Sequence, residues 1–495
     1  MISPATRTNA AFSAVDRAAL AAIAIVSLVM IVPQQMNWDV SWYIIICERM
    51  LDGAIYGVDF IEVKPPAALW LYLGPVAFAR AVGISAEAAV IAFTYVVMVG
   101  SCWLTWRLLR DDADSHAWAP LFIIIAALMF AILPLRDFAQ REHFAQMLLL
   151  PYAAIALARI GGAKPAPAFV IAAAVCGGVM ASIKPMFVLA AMAPPLTAAV
   201  YARNWRLVFA PEACGAAVLF FGYVVAAFLL HPDFFTQSLP LVFSLYTADR
   251  WPFPFLQMNV LIWGVGLVVV FGIWAKRRFD APAPVLFAAC SLAFFASYLV
   301  QAKGFGYHLM PMLLALVLAL AVQWRQTRGE VVRGFLAILV GAVVGAPFVH
   351  TPRIDHALLA TAIAAEGANV KVMLLGASLP SAHPAAQMAG AQWVSRLPAA
   401  WALEAHRRLD GSGPSQQAQV ERDRHAAATR AILLEDLRDN RPDVLLVERA
   451  PYDWGAELAR DREFALQLAH YHPQSAGYRA FDYTVDVLVR RPKLP

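Results

Sequence analysis

Five short stretches of this sequence hold residues whose types and spacing can do chemistry. The first is NWDVSW at 37–42, where Asp39 stands between Trp38 and Trp42. The second is DFIEVKPP at 59–66, with Asp59, Glu62 and Lys64 directly before two prolines. The third is RDFAQREH at 136–143, which packs Arg136, Asp137, Arg141, Glu142 and His143 into one loop. Lys184 in a Lys-Pro step, and Lys303 and His308 in KGFGYH, complete the set.

Each group has a chemical reading and a plainer one. Asp39 can deprotonate an acceptor hydroxyl as a general base, or cap the helix that follows it. Lys64 sits just outside a helix whose first turn tolerates proline, so an ammonium and a helix N-terminus together offer a phosphate site. Snorkelling at the membrane surface would also explain Lys64, but not the acids before it. Arg141, Glu142 and His143 can orient an acceptor, bind phosphate or help hold a divalent cation such as Mg or Mn, or simply form a salt-bridged loop. Lys184, Lys303 and His308 are further cations able to reach a phosphate or pyrophosphate.

The elements that must position these residues are membrane helices. The 495-residue chain is 61% hydrophobic and only 15% charged, a balance that excludes an ordinary soluble enzyme. Apolar runs near 16–33, 87–108, 117–134, 144–160, 167–183, 185–201, 207–230, 255–275, 283–300, 307–323 and 332–350 have span-like length. The expected fold class is thus a polytopic α-helical membrane protein of about 11 transmembrane helices, residues 1–350, with a soluble α/β domain at 351–495. That last segment holds 34 of the 73 charged residues. The first apolar run has no small-residue cleavage site behind it and reads as a retained helix.

Alternate loops carry the positive charge: Arg107 and Arg110, Arg159 and Lys164, Arg203 and Arg206, AKRR at 275–278 and RQTR at 325–328. This positive-inside pattern predicts a cytoplasmic N-terminus, and an odd span count places the C-terminal domain in the periplasm. The chemistry-bearing stretches then all fall on the outer face. The first outer loop, 34–86, contains two helical segments, 39–52 and 65–82, the second suited to the membrane interface. In the C-terminal part, strands are expected at 370–377, 443–449 and 483–491, and helices near 416–438 and 455–470. The GASLPS turn after the first strand matches no nucleophile or dinucleotide motif and is assigned no chemistry. The five cysteines form no CxxC pair, which argues against a zinc site or disulfide framework.

Asp39 after the first span, the Glu48–Arg49 pair, Tyr56 and then FIEVKPPAALWLYL together resemble the GT-C superfamily of membrane glycosyltransferases. The resemblance is to the branch of protein O-mannosyltransferases and the lipid A aminoarabinose transferase, and it covers about the first 80 residues. It implies transfer of a hexose or pentose from a polyprenyl-phosphate sugar donor to a glycan, lipid or protein acceptor at the outer face of a bacterial inner membrane. Asp39 would be the catalytic acid of the family, Glu62 a second acid, and Lys64 the donor-phosphate ligand, with Arg141, Lys303 and His308 assisting. Tyr56, Glu142, His143 and Lys184 would serve the acceptor or a secondary site. The sequence departs from the pattern in placing Val63 between Glu62 and Lys64 and Val40 after Asp39. Membrane lipids are expected partners and nucleic acid is not. Two other classes compete: a lipid-linked oligosaccharide flippase or transporter, which predicts charges inside the spans and internal repeats, and an assembly scaffold, which leaves the outer-loop acids unexplained.

Overall fold

A computed structural model describes residues 12–32, 34–110, 115, 117–250, 281–327, 355–410 and 414–491. Helices dominate the first part of the chain: α1 (Ala14–Ile31), α2 (Trp38–Leu51), α3 (Pro66–Val82), α4 (Ala86–Leu109), α5 (Ala119–Ile132), α6 (Arg141–Ile160), α7 (Pro167–Ile183), α8 (Val188–Tyr201) and α9 (Pro211–Leu230). Two more run over Pro282–Gln301 and Met310–Thr327. Among the described residues, 6 helices are long and apolar enough to cross a membrane: α1, α4, α6, α9, Pro282–Gln301 and Gly306–Gln323. The expected spans at 117–134, 167–183 and 185–201 are shorter apolar helices, and those at 255–275 and 332–350 lie outside the described residues. The protein is thus a helical membrane protein with several spans.

Lys184-Pro185 marks a break and not a continuous span. Lys184 is extended, Pro185–Phe187 forms one 3-10 turn, and α8 begins only at Val188. Proline cannot donate to the preceding turn, so the helix ends before it.

The chain divides into two compact units. The helical unit comprises 1–34, 90–226 and 251–349. In it, Pro282–Gln301 packs on Met310–Thr327 and on α8, and α6 packs on α7 and α8. The second unit gathers 35–89, 227–250 and 350–495, so the first loop and its two helices cluster with the C-terminal residues.

A five-stranded sheet forms the centre of this second unit, in the order β2–β1–β3–β5–β4. Its strands are β1 (Lys371–Leu375), β2 (Gln392–Trp393), β3 (Val444–Ala450), β4 (Tyr471–Ala480) and β5 (Tyr483–Arg490). β1 runs parallel to β2 and β3, while β5 is antiparallel to β3 and β4. Met373, Leu375, Leu445, Val447 and Leu488 supply its buried face, against which Leu433 and Leu437 of helix Gln416–Asn440 pack. The segment expected as one helix at 455–470 is two short ones, Trp454–Leu458 and Arg462–Leu468.

The turn after β1 does structural work. Ala377 and Ser378 donate their amides to the Glu448 carboxylate at 2.7 and 2.9 Å, and Ser381 Oγ donates to it at 2.5 Å. Backbone amides at the end of a parallel strand are a common anion site. Here the anion is the side chain of the neighbouring strand. Gly376 is required beside it, since a Cβ there would lie 2.6 Å from the carboxylate carbon.

Burial pushes the Glu448 carboxyl up from its ordinary 4.5 to about 7, against the three hydrogen bonds that favour its charged form. The folded state therefore binds an extra proton between about pH 4.5 and 7, and the stability this contributes is present below that window and lost as pH rises through it. The thermal midpoint of the protein should fall across this range, and Glu448→Gln should flatten the slope. Gly376→Ala should lower the midpoint at every pH, as read by differential scanning fluorimetry.

Candidate active site in the first loop

The site is built by two helix N-termini and the loop between them. Asn37 caps α2, its Oδ1 accepting the Asp39 amide at 2.9 Å. The capping alternative for Asp39 is thereby taken by its neighbour two residues earlier, and the Asp39 carboxylate is left for another partner. In the first turn of α2 that negative charge also complements the helix dipole. One partner is Lys64, whose Nζ lies 3.1 Å from Asp39 Oδ1. Lys64 immediately precedes Pro65 and Pro66, the N-cap and first residue of α3, as the Lys-Pro-Pro spacing predicts. Its ammonium also stands 5.5 Å from the Tyr43 ring centre.

Glu62 fixes the loop that presents the lysine. It is 1% exposed. Its Oε1 accepts the Val63 and Lys64 amides at 2.7 and 2.9 Å and lies 3.5 Å from Lys64 Nζ, while Oε2 accepts Trp42 Nε1 at 2.5 Å. A carboxylate with both oxygens engaged by donors suits holding better than proton transfer. Tyr56 is also buried, and its hydroxyl donates to the Glu62 carbonyl and reaches Ser238 Oγ at 3.4 Å. Ser238 ends one of two π-helical turns, Phe234–Ser238 and Val242–Tyr246. Asp59 accepts the Ile55 amide and shapes the turn.

The C-terminal residues close this arrangement. Arg49 donates to the carbonyls of Ser395 and Asp59 at 3.0 and 2.5 Å, and Ile61 donates to the Arg396 carbonyl. Trp42 sits against His383 and Trp393, with ring centres 5.4 and 6.1 Å away. His383 and Trp393 were not among the anticipated residues. Nothing in the local sequence marks them, beyond a histidine-proline step in an apolar stretch.

The other anticipated residues gather in the helical unit. Lys184 Nζ lies 2.5 Å from Glu142 Oε1, and His308 Nε2 lies 3.6 Å from the same oxygen, all three being buried. Arg141 opens α6, and Lys303 is buried in the turn before His308. His143 is buried against Phe138, and its Nδ1 accepts the Ala139 amide at 3.2 Å. Among the described residues no group of three or more histidines, cysteines, aspartates and glutamates is placed to hold a metal ion. At Glu142 a cation beside the carboxylate is Lys184.

No family model and no curated protein sequence matches the chain. Among solved structures, the crystal structure of ArnT from Cupriavidus metallidurans bound to undecaprenyl phosphate is similar. The two are 15% identical with a TM-score of 0.51, over 96% of this chain and 97% of that one. The likeness is one of fold. It extends along nearly the whole chain, whereas the first-loop motif reaches only about the first 80 residues, and it gives this protein the overall fold of that solved structure.

Removing Glu62 strips partners from three donors at once, two amides and an indole. Each buried donor left unpaired costs about 1–3 kcal/mol. Glu62→Ala should therefore lower the thermal midpoint of the detergent-solubilised protein strongly, while Asp39→Asn leaves it near wild type. Equal midpoints for Glu62→Ala and wild type would refute the bracing role.

Proposed function

We propose that this protein is a membrane glycosyltransferase that moves a sugar from a polyprenyl-phosphate-linked donor to an acceptor at the periplasmic face of a bacterial inner membrane. The observation that carries the reading is the Asp39–Lys64 pair, a carboxylate in the first turn of one helix and an ammonium at the start of the next. The fold it shares with a protein crystallised with undecaprenyl phosphate supports the choice of donor class.

The chemistry follows from the charges. A polyprenyl phosphate is a competent leaving group, so the protein must take a proton from the acceptor hydroxyl or amine and offset charge growing on the departing phosphate. In the pair as it stands, Lys64 neutralises Asp39. A donor phosphate beside Lys64 competes for the ammonium and releases the Asp39 carboxylate to act as general base. Attack on the anomeric carbon then breaks the bond to the phosphate oxygen, the acceptor proton passes to Asp39, and the configuration inverts. Glu62 acts by holding Lys64 and Trp42, and Tyr56 by holding Glu62. Lys184, paired with Glu142 as Lys64 is with Asp39, is proposed to serve the acceptor or a secondary site. Arg141, Lys303 and His308 remain proposed phosphate contacts, and Glu142 and His143 proposed acceptor contacts.

The test uses the full chain in nanodiscs with a panel of undecaprenyl-phosphate hexoses and pentoses, reading loss of sugar from the lipid by mass spectrometry. Wild type should turn over at least one donor. Asp39→Asn should retain donor binding but lose at least about 100-fold in turnover, the usual worth of a general base. Full activity in Asp39→Asn would remove the base from the scheme. Lys64→Ala should weaken binding of undecaprenyl phosphate itself, with Lys64→Arg intermediate, and unchanged binding in Lys64→Ala would take the phosphate away from Lys64.

A further inference from the structure

His383 lies in the turn beyond β1, fully buried between Trp42 and Trp393, whose ring centres are 5.4 and 4.5 Å from its own. Among the described residues neither of its ring nitrogens meets a hydrogen-bond partner. Buried polar atoms are nearly always paired, and an exception marks a place where a ligand or an ordered water completes the bonding. The turn itself is firmly held. His356 Nε2 bonds the Pro380 carbonyl at 2.6 Å and its Nδ1 pairs with Gln35 Oε1 at 3.1 Å, so the orphaned ring is not a loose one.

Burial pushes the His383 imidazole down to about 3, with His356 and Lys64 adding to the effect and Asp39 opposing it. His383 is thus neutral, one nitrogen donating and the other accepting. Trp42 links it to the first-loop site, since the indole against the imidazole donates to Glu62 Oε2 at 2.5 Å and Glu62 Oε1 lies 3.5 Å from Lys64 Nζ. A phosphate oxygen, which only accepts, could satisfy one of its nitrogens. A hydroxyl both donates and accepts, and aromatic rings flanking a neutral polar group suit the alternating apolar and hydroxyl faces of a sugar.

We propose that His383 is a specificity residue that hydrogen-bonds a hydroxyl of the sugar carried by the lipid, so that the α/β part of the chain contributes directly to the first-loop site. The inference rests on the glycosyltransferase reading and deepens it. An unpaired buried imidazole also destabilises the fold that keeps it. Replacing it by an apolar ring of similar shape should stabilise the empty protein and weaken it toward the sugar alone.

The experiment compares thermal midpoints of wild type, His383→Phe and His383→Asn in nanodiscs, without ligand, with undecaprenyl phosphate, and with the sugar-bearing undecaprenyl phosphate that raises the wild-type midpoint most. His383→Phe should have a higher midpoint than wild type when empty. It should keep the shift given by bare undecaprenyl phosphate and lose the additional shift given by the sugar, equivalent to about tenfold in affinity, with His383→Asn restoring part of it. A lowered midpoint, or failure of His383→Phe to fold, would show the ring nitrogens satisfied inside the protein and overturn the proposal. So would a sugar-dependent shift that survives in His383→Phe. If wild type gains nothing from bare undecaprenyl phosphate, the glycosyltransferase reading itself fails and this inference with it. A gain from the bare lipid with no further gain from any sugar overturns the His383 assignment alone.

Discussion

One ammonium shared between two carboxylates sets the terms for the first-loop site. Lys64 lies 3.1 Å from Asp39 and 3.5 Å from Glu62. Such a group persists at low exposure only if the remaining lone pairs are met by other donors. The molecule supplies them unevenly. Glu62 receives an indole and two amides, and is fixed. Asp39 has among its partners the positive end of α2 and the lysine, whose ammonium sits on a flexible stem. The asymmetry marks Glu62 as an acid that holds the loop.

That asymmetry has a backbone cause. Glu62 is close enough in sequence to Lys64 for its side chain to accept the amides of the next two residues, a short-range pattern that carboxylates make readily. The intervening Val63, a departure from the family motif, is what puts the two amides within reach of one oxygen. Pro65 has no polar side-chain atom to accept an amide, so α3 opens without side-chain capping and the charge before it is carried by Lys64.

Much of this local chemistry was legible. Apolar run length and proline punctuation located the helices, and Lys-Pro-Pro put Lys64 at the start of α3, because both are properties of adjacent residues. The strands β1, β3 and β5 were visible as β-branched apolar runs, whereas β4, reading YHPQSAGYRA, hides behind a proline and a glycine and is paired only through β5. The cap of α2 was misplaced by two residues, since Asn37 and Asp39 are equally good capping types and only the backbone chooses between them. What no window of sequence could show is the bonding of the first loop to the residues after β2, through Arg49 with Ser395 and Ile61 with Arg396. Contacts of that separation leave no periodic signal.

The turn after β1 shows an anion cradle filled from within the sheet. In doubly wound folds the amides at a strand's carboxyl end receive a ligand phosphate. Here Glu448 fills that cradle from the adjacent strand, and Gly376 makes room for the carboxylate and not for a cofactor. The turn is thereby stiffened, and the residues that follow it, through Ser381 to His383, are carried by the sheet core. A rigid turn can hold an imidazole in a position that its own hydrogen bonding would not choose. Strain of that kind persists where the surrounding structure over-determines the group, and the sheet, His356 and the Glu448 cradle together do so.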